Sequence, residues 1–249
     1  MGKYFNVTVK PVLPVATQIQ SDTTDLAFGS GDVLFDWVSF DVPKGASKLI
    51  DIACIVRGGQ TPKAVDFIFA KANTDKSDPS SIGTGNATAD GTGYYKNVIG
   101  AITMDDSNFK ASLDNMIVGS LGHGASADQV SGLVVQGTPE SGTNVGYDKL
   151  YVAAICIQGS HFNFSTGVLA NAAVSAGAAT TFVTKTVDPR SFFDVGDVVH
   201  VHDSDTAIGT VTSLTDNDIN LSAVTGVAIA TNDEVVNASP ITLILSFEK

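Results

Sequence analysis

Ile241-Thr242-Leu243-Ile244-Leu245-Ser246-Phe247, the last predicted strand, is the segment around which the chain is organised. In an extended chain successive side chains alternate between faces, so Ile241, Leu243, Leu245 and Phe247 share one face. The other face carries Thr242, Ile244 and Ser246. A strand this apolar needs partners in a buried sheet. The segment before it, about residues 164–238, reads as complete in itself. The last strand is therefore predicted to return to an earlier sheet, beside Tyr151–Ile157. On that reading 164–238 is a domain inserted near the end of another.

The 249 residues suffice for one large or two small domains, and apolar residues make up 43%. The longest apolar runs are strand-sized, so no membrane helix is predicted. Met1–Val7 has no signal-like core and already alternates like a strand, which leads to an expectation of synthesis in a cytosol without cleavage. Net charge is −12. Such an acidic surface repels phosphate backbones, so no nucleic-acid partner is expected. Residues 164–238 hold nine Asp/Glu and two Lys/Arg, which makes the insert the more acidic part per residue. Cys54 and Cys156 are each flanked by strand apolars and read as buried thiols. Without an export signal a disulfide is not expected.

Taken in order, residues 4–10 alternate as a first strand, and Pro11 and Pro14 break it. Val33–Phe40 comes next, with Val33, Phe35, Trp37 and Ser39 on one face and Leu34, Asp36, Val38 and Phe40 on the other. Trp37 is read as a core anchor. Leu49–Arg57 and Ala64–Ala70 are further strands. Residues 72–93 form a long polar loop of the kind that is functional or mobile. Asn97–Thr103 is a short strand, Asp105–Asn115 one or two helical turns, and Leu133–Gln136 and Lys149–Gln158 are strands. Beyond Ser165 the pattern changes to short strands with tight turns at Asp203-Ser204-Asp205 and Asp216-Asn217. The fold class predicted is all-β: a jelly-roll-like β-sandwich (1–163 with 239–249) and a small SH3-like β-barrel domain (164–238) inserted before the last strand.

Chemistry-bearing motifs are few. His200 and His202 stand two apart on a strand and point the same way, with Asp203 and Asp205 close behind. A zinc site needs three or four ligands at fixed distances, and His123 and His161 lie in other segments. The pair is read as a solvent-facing stripe, and no metal or cofactor is assigned. Gly83–Gly93 lacks the Gly-Lys-Ser/Thr ending and the strand-to-helix setting of a phosphate loop. No Gly-x-Ser-x-Gly elbow is present. Asp105-Asp106 reads as a helix start, and Asp216-Asn217-Asp218 as a turn without calcium-loop spacing. Tyr94-Tyr95 stands just past the glycine-rich loop, where exposed rings stack on sugars or anchor interfaces, or one ring is buried at a strand start. No catalytic residue is assigned.

Four stretches carry a family resemblance: Gly31–Trp37, Asn86–Tyr94, Ser141–Lys149 and Pro240–Lys249. Together they resemble virion structural proteins of marine tailed bacteriophages, especially cyanophages with contractile tails. The resemblance implies a virion component made in the host bacterial cytoplasm, but not its position, and it carries over no catalytic residue.

With the acidic, β-rich composition, this leads to the expectation of a non-enzymatic capsid decoration (cement) protein on the outside of the head. Its partner would be the major capsid protein, with no nucleic acid or membrane bound. Decoration proteins sit on lattice axes, which favours a homo-oligomer such as a trimer. The alternative is a receptor- or glycan-binding module of a tail or head fibre.

Overall fold

The computed structural model describes residues 3–13, 28–58, 61, 63–91, 96–113, 116–122, 132–158, 162, 164, 167–185, 187–201 and 207–249. Ten strands precede the insert: β1 (Tyr4–Val9), β2 (Val33–Pro43), β3 (Ser47–Arg57), β4 (Val65–Lys71), β5 (Val98–Met104), β6 (Phe109–Leu113), β7 (Met116–Gly122), β8 (Leu133–Val135), β9 (Thr138–Pro139) and β10 (Tyr147–Cys156). Six form the insert: β11 (Val168–Ala170), β12 (Thr181–Lys185), β13 (Val198–Val201), β14 (Ala207–Leu214), β15 (Asp218–Leu221) and β16 (Glu234–Asn237). The chain closes with β17 (Ile241–Glu248).

One sheet runs β1-β17-β3-β7-β6 and the other β2-β10-β4-β5. Setting aside the short β6, β8 and β9, eight long strands remain. The first pairs with the last, the last with the third, and the third with the sixth. In the facing sheet the second pairs with the seventh, the seventh with the fourth, and the fourth with the fifth. That nesting is the two-sheet jelly roll. The insert is a closed barrel, β11-β12-β15-β14-β13-β16, placed between the seventh and eighth jelly-roll strands.

β17 is the central element, but its neighbours are not those expected from the sequence. It pairs with β1 through Val7↔Leu245 and with β3 through Cys54↔Leu243, whereas Tyr151 lies on β10 in the opposite sheet. Alternation fixes which face of a strand is buried and leaves its partner open. Ile241, Leu243, Leu245 and Phe247 are all buried in the sandwich core. The Phe247 ring stacks on Phe5 at 5.2 Å and meets Phe40 at 6.3 Å, which ties three strands and both sheets together.

Strict alternation fails on β2. Val38 pairs with Val152, Phe35 with Ala154 and Val33 with Ile155, so β2 carries extra residues at two places. Each bulge reverses the facing of the residues beyond it. Leu34 and Phe35 both enter the sandwich core. Val33 instead packs with Ile82 and Ala153 on the outside of the sheet. Trp37 is half-buried on that same outer side, and its Nε1 donates to Ser80 O at 2.8 Å. It is a clasp for the overlying loop rather than a core anchor.

That loop, expected to be functional or mobile, is fastened along residues 77–90. Tyr151 Oη donates to Asp78 Oδ1 at 2.7 Å, Ile82 N to Asp36 Oδ1 at 3.1 Å, and Ala89 N to Gly31 O at 2.9 Å. The helical turns predicted over Asp105–Asn115 shrink to a single 3-10 turn, Asp106–Asn108. The core claims the next residue: Phe109 is buried as the start of β6, edge-on to Phe162 at 6.3 Å.

The barrel has its own core, with Phe182, Phe193, Val199, Ile219 and Val235 among its buried side chains. Gly167 opens it at a close approach, because a Cβ there would lie 2.0 Å from Val235 O. β12 and β15 pair directly, and the Asp216-Asn217 turn joins β14 to β15 as the sequence predicts.

Leu245→Ala removes a fully buried side chain from the central strand, at a cost of about 2–5 kcal/mol. The melting temperature is expected to fall by roughly 4–20 °C for a chain of this size. Ser246→Ala, on the half-exposed outer face, changes stability by less than about 1 kcal/mol. Equal effects from the two substitutions in a thermal melt would contradict the assigned facing.

Candidate functional site

β17 enters the sandwich at Ile241, opposite Val56, and ends at Glu248, opposite Lys48. β10 begins at Tyr147, opposite Pro43, and ends at Cys156, opposite Val65. The barrel leaves β10 and re-enters β17 at one end of the sandwich. At the opposite, free end Lys3 and Lys249 exchange backbone hydrogen bonds at 3.2 and 2.9 Å. The two ends differ in chemistry.

At the barrel end the contacts are charged. Asp197, 1% exposed, accepts from Lys10 Nζ at 3.0 Å through Oδ1. Its Oδ2 accepts from Asn237 Nδ2 at 2.7 Å and Asp194 N at 2.8 Å. Arg57 donates to Asp194 Oδ2 at 3.1 Å. Lys10 directly follows β1 and Arg57 ends β3, whereas Asp194 and Asp197 belong to the barrel. Backbone bonds from Leu13 N to Ala238 O (2.7 Å) and from Arg57 N to Pro240 O (2.9 Å) complete the junction. A buried carboxylate with three donors is compensated for its lost hydration, and removing one donor leaves part of that cost unmet.

At the free end exposed apolar side chains stand among lysines and Glu248. Val134 is 64% exposed, Val145 61%, Tyr4 69% and Tyr147 46%. They come from three separate segments. Tyr4 Oη donates to Glu248 Oε1 at 3.2 Å. Glu248 and Val134 line one shallow hollow of about 360 Å³ with Ala46 and Lys48. The turn holding Val145 and Tyr147 is joined to the β2–β3 turn by Lys44 N to Gly146 O at 2.9 Å. Lys249 Nζ in turn donates to Lys44 O. Exposed apolar side chains at one end of a sandwich are a candidate interaction surface.

The sequence motifs fall elsewhere. His200 is buried in the barrel wall on β13 between Val199 and Val201, opposite Val236 and Ala207, and is not on a solvent-facing stripe. The wall of a small closed barrel has an inner and an outer side, and both sides are covered at this strand. His202, Asp203, Asp205, His123, His161, Tyr94 and Tyr95 lie outside the described residues. Among the described residues no group of three His, Cys, Asp or Glu side chains is close enough to hold a metal ion. Residues 83–91 lie against the start of β2, where Val33 N donates to Ala87 O at 2.9 Å and Asn86 N to Val33 O at 2.9 Å. Asp105 accompanies a 3-10 turn, where its N–H donates to Asn108 Oδ1 at 2.8 Å.

Cys54 and Cys156 are free thiols in opposite sheets, both buried. Burial pushes both thiols well above the ordinary range, and for Cys156 the nearby Asp32 charge adds to the effect. The free-end cluster and the charged junction were not foreseen from the sequence. Each is assembled from residues far apart in the chain, and no local spacing signals either.

No protein-family model matches this chain, and no curated protein does. Among solved structures, a chain of "Structure of infectious bursal disease virus Gt strain" aligns over 99% of this chain and 39% of its own length, at 9% identity and a TM-score of 0.13. This chain thus spans 39% of the length of that one.

Two outcomes test the junction and the thiols. Lys10→Met strands part of the Asp197 carboxylate and is expected to cost about 1–3 kcal/mol. Arg190→Met, which breaks only the local exposed pair with Asp188, should leave the calorimetric transition unmoved. At pH 8 both cysteines should react with a maleimide far more slowly than free cysteine until denaturant is added. Rapid native labelling of either would contradict its burial.

Proposed function

We propose that this protein is a phage virion structural protein that decorates the outside of the head and cements neighbouring subunits of the major capsid protein. The observation that carries the reading is the two-ended molecule: exposed apolar side chains gathered at one end, and the acidic barrel held at the other. Jelly rolls serve as viral capsid domains, and also as lectins and cupins, so the architecture accommodates the reading without dictating it. The family resemblance supplies the virion context.

On this reading the work is adhesion. Tyr4, Val134, Val145 and Tyr147 lose water against the capsid, at about 25 cal/mol per Å² of apolar area. A stable interface buries about 1,200–2,000 Å² in all, more than four side chains supply. Contact with several subunits around a lattice axis, made by a symmetric oligomer, meets that need. The net charge of −12 suits an exterior position away from packaged DNA. The acidic barrel then projects into solvent, where like charge discourages nonspecific contact between particles.

Quantitative mass spectrometry of purified virions should find hundreds of copies per particle. Val134→Asp with Tyr147→Asp should weaken binding to heads lacking the protein at least about tenfold, with an unchanged melting temperature for the isolated protein. A handful of copies per virion, or undiminished binding of the double variant, would overturn the reading.

A further inference from the structure

On the flank of the second sheet lies an open cleft of about 700 Å³, between the turn after β4 and the β9 segment. Three lysines, Lys71, Lys76 and Lys96, and one aspartate, Asp75, line it in a chain whose net charge is −12. A positive recess on a negative molecule is a local reversal of field that favours anions at short range. Lys71 and Lys76 are exposed, and neither ammonium has an ion pair or hydrogen bond among the described residues. Their neighbour Lys149, by contrast, is already tied to Glu140 at 3.0 Å.

The lining of the cleft is held in place by its own hydrogen bonds. The turn is pre-set: Asp75 accepts from Ser77 N at 3.1 Å and from Ser77 Oγ at 2.6 Å, which holds its carboxyl below the usual range and keeps it engaged. Asn73 Nδ2 donates to Ser77 Oγ at 3.0 Å and to Asp78 O at 2.6 Å. Lys76 has φ +68, a left-handed conformation that glycine or asparagine normally takes. A lysine kept at such a position is a reason to look for a role for its side chain. Asn97 lines the cleft at 8% exposure; its Nδ2 donates to Asn73 Oδ1, and its own Oδ1 meets no donor among the described residues. That oxygen opens onto the cleft, where it can accept a hydrogen bond from a ligand.

We infer that this cleft binds an acidic saccharide, its carboxylate or sulfate between Lys71 and Lys76 and a sugar hydroxyl donating to Asn97 Oδ1. The cleft volume lies in the range of small-ligand sites, about 300–1,000 Å³. Its polar lining suits a hydroxyl-rich ligand better than an apolar one. A bare anion would make no use of Asn97 Oδ1, and a neutral sugar would make no use of either ammonium group. The site is separate from the apolar free-end cluster, so the inference does not depend on the decoration reading.

Titration calorimetry of the full chain with oligogalacturonate and with a heparin-derived sulfated oligosaccharide tests it, with a malto-oligosaccharide as the neutral control. Binding of at least one acidic oligosaccharide and not of the neutral one is expected, weakening as salt rises. Lys71→Gln with Lys76→Gln, both exposed, should weaken it at least about tenfold without altering the melting temperature. The inference fails if neither acidic oligosaccharide binds, or if the double variant binds undiminished. It fails as well if inorganic sulfate binds as tightly as the oligosaccharides. A change in oligomeric state of the double variant, with no saccharide bound, would assign the cleft to the acidic barrel of a second copy and overturn it.

Discussion

The sandwich closes only because β17 pairs between β1 and β3. With β17 absent, β1 has no strand partner and β3 loses one of its two neighbours along most of its length. The four inward side chains of β17 also complete the layer between the sheets, and burying each is worth about 1.5–3 kcal/mol. The chain must therefore come back to the sandwich however far it has travelled. It travels through 84 residues between the end of β10 and the start of β17. In a flexible loop each doubling of length adds only about 0.6 kcal/mol to the closure cost. Here the excursion is folded, and its first and last strands, β11 and β16, pair with each other through Val168↔Val235. The barrel's entry and exit are consequently side by side, and the sandwich sees a short connection.

A barrel attached by two adjacent chain crossings would be free to swing if nothing else held it. The Asp197 carboxylate prevents that. It belongs to the barrel, it is buried, and one of its donors is Lys10 from the sandwich. Swinging the barrel away would separate the charge from its cation, and a partly buried charge without its partner is costly. The second pair, Arg57 with the half-exposed Asp194, adds direction more than energy. Asn237 links this polar cluster to the last barrel strand, since its Nδ2 also donates to Phe192 O at 2.9 Å and its Oδ1 accepts from Ser239 N at 2.7 Å. Asn237, one of the residues in this cluster, thus stands where the barrel hands the chain back to β17.

Much of this was legible in the sequence where the signal is local. The alternation over 241–247, the strand-flanked cysteines and the Asp216-Asn217 turn each depend on residues a few places apart, and each is found as read. What was missed depends on partners far away in sequence. The pattern of β17 states that one face is buried but contains nothing that selects β3 over β10. The two bulges in β2 come from matching that strand against β10, and without the match Phe35 and Trp37 look equivalent. Asp105–Asn108 is a fair helix start, overruled because Phe109 has a place waiting in the core. His200 looks like half of an exposed pair until the barrel closes around it.

The same division governs the surfaces that can act on other molecules. Tyr4 stands at the beginning of the chain, Val134 and Val145 past its middle, and Glu248 at its end, yet the jelly roll sets them on one end of one sandwich. Its strands run alternately up and down, so residues at every second turn must meet at the same end whatever their sequence separation. The cleft is assembled in the same way, from the end of β4, the start of β5 and the β9 segment, which become neighbours because β10 and β4 pair through Leu150↔Lys71. A substitution that disturbs β10 or β17 should therefore weaken both surfaces together. A substitution at an exposed valine or lysine should affect only its own surface. This difference separates loss of a contact from loss of the fold that presents it.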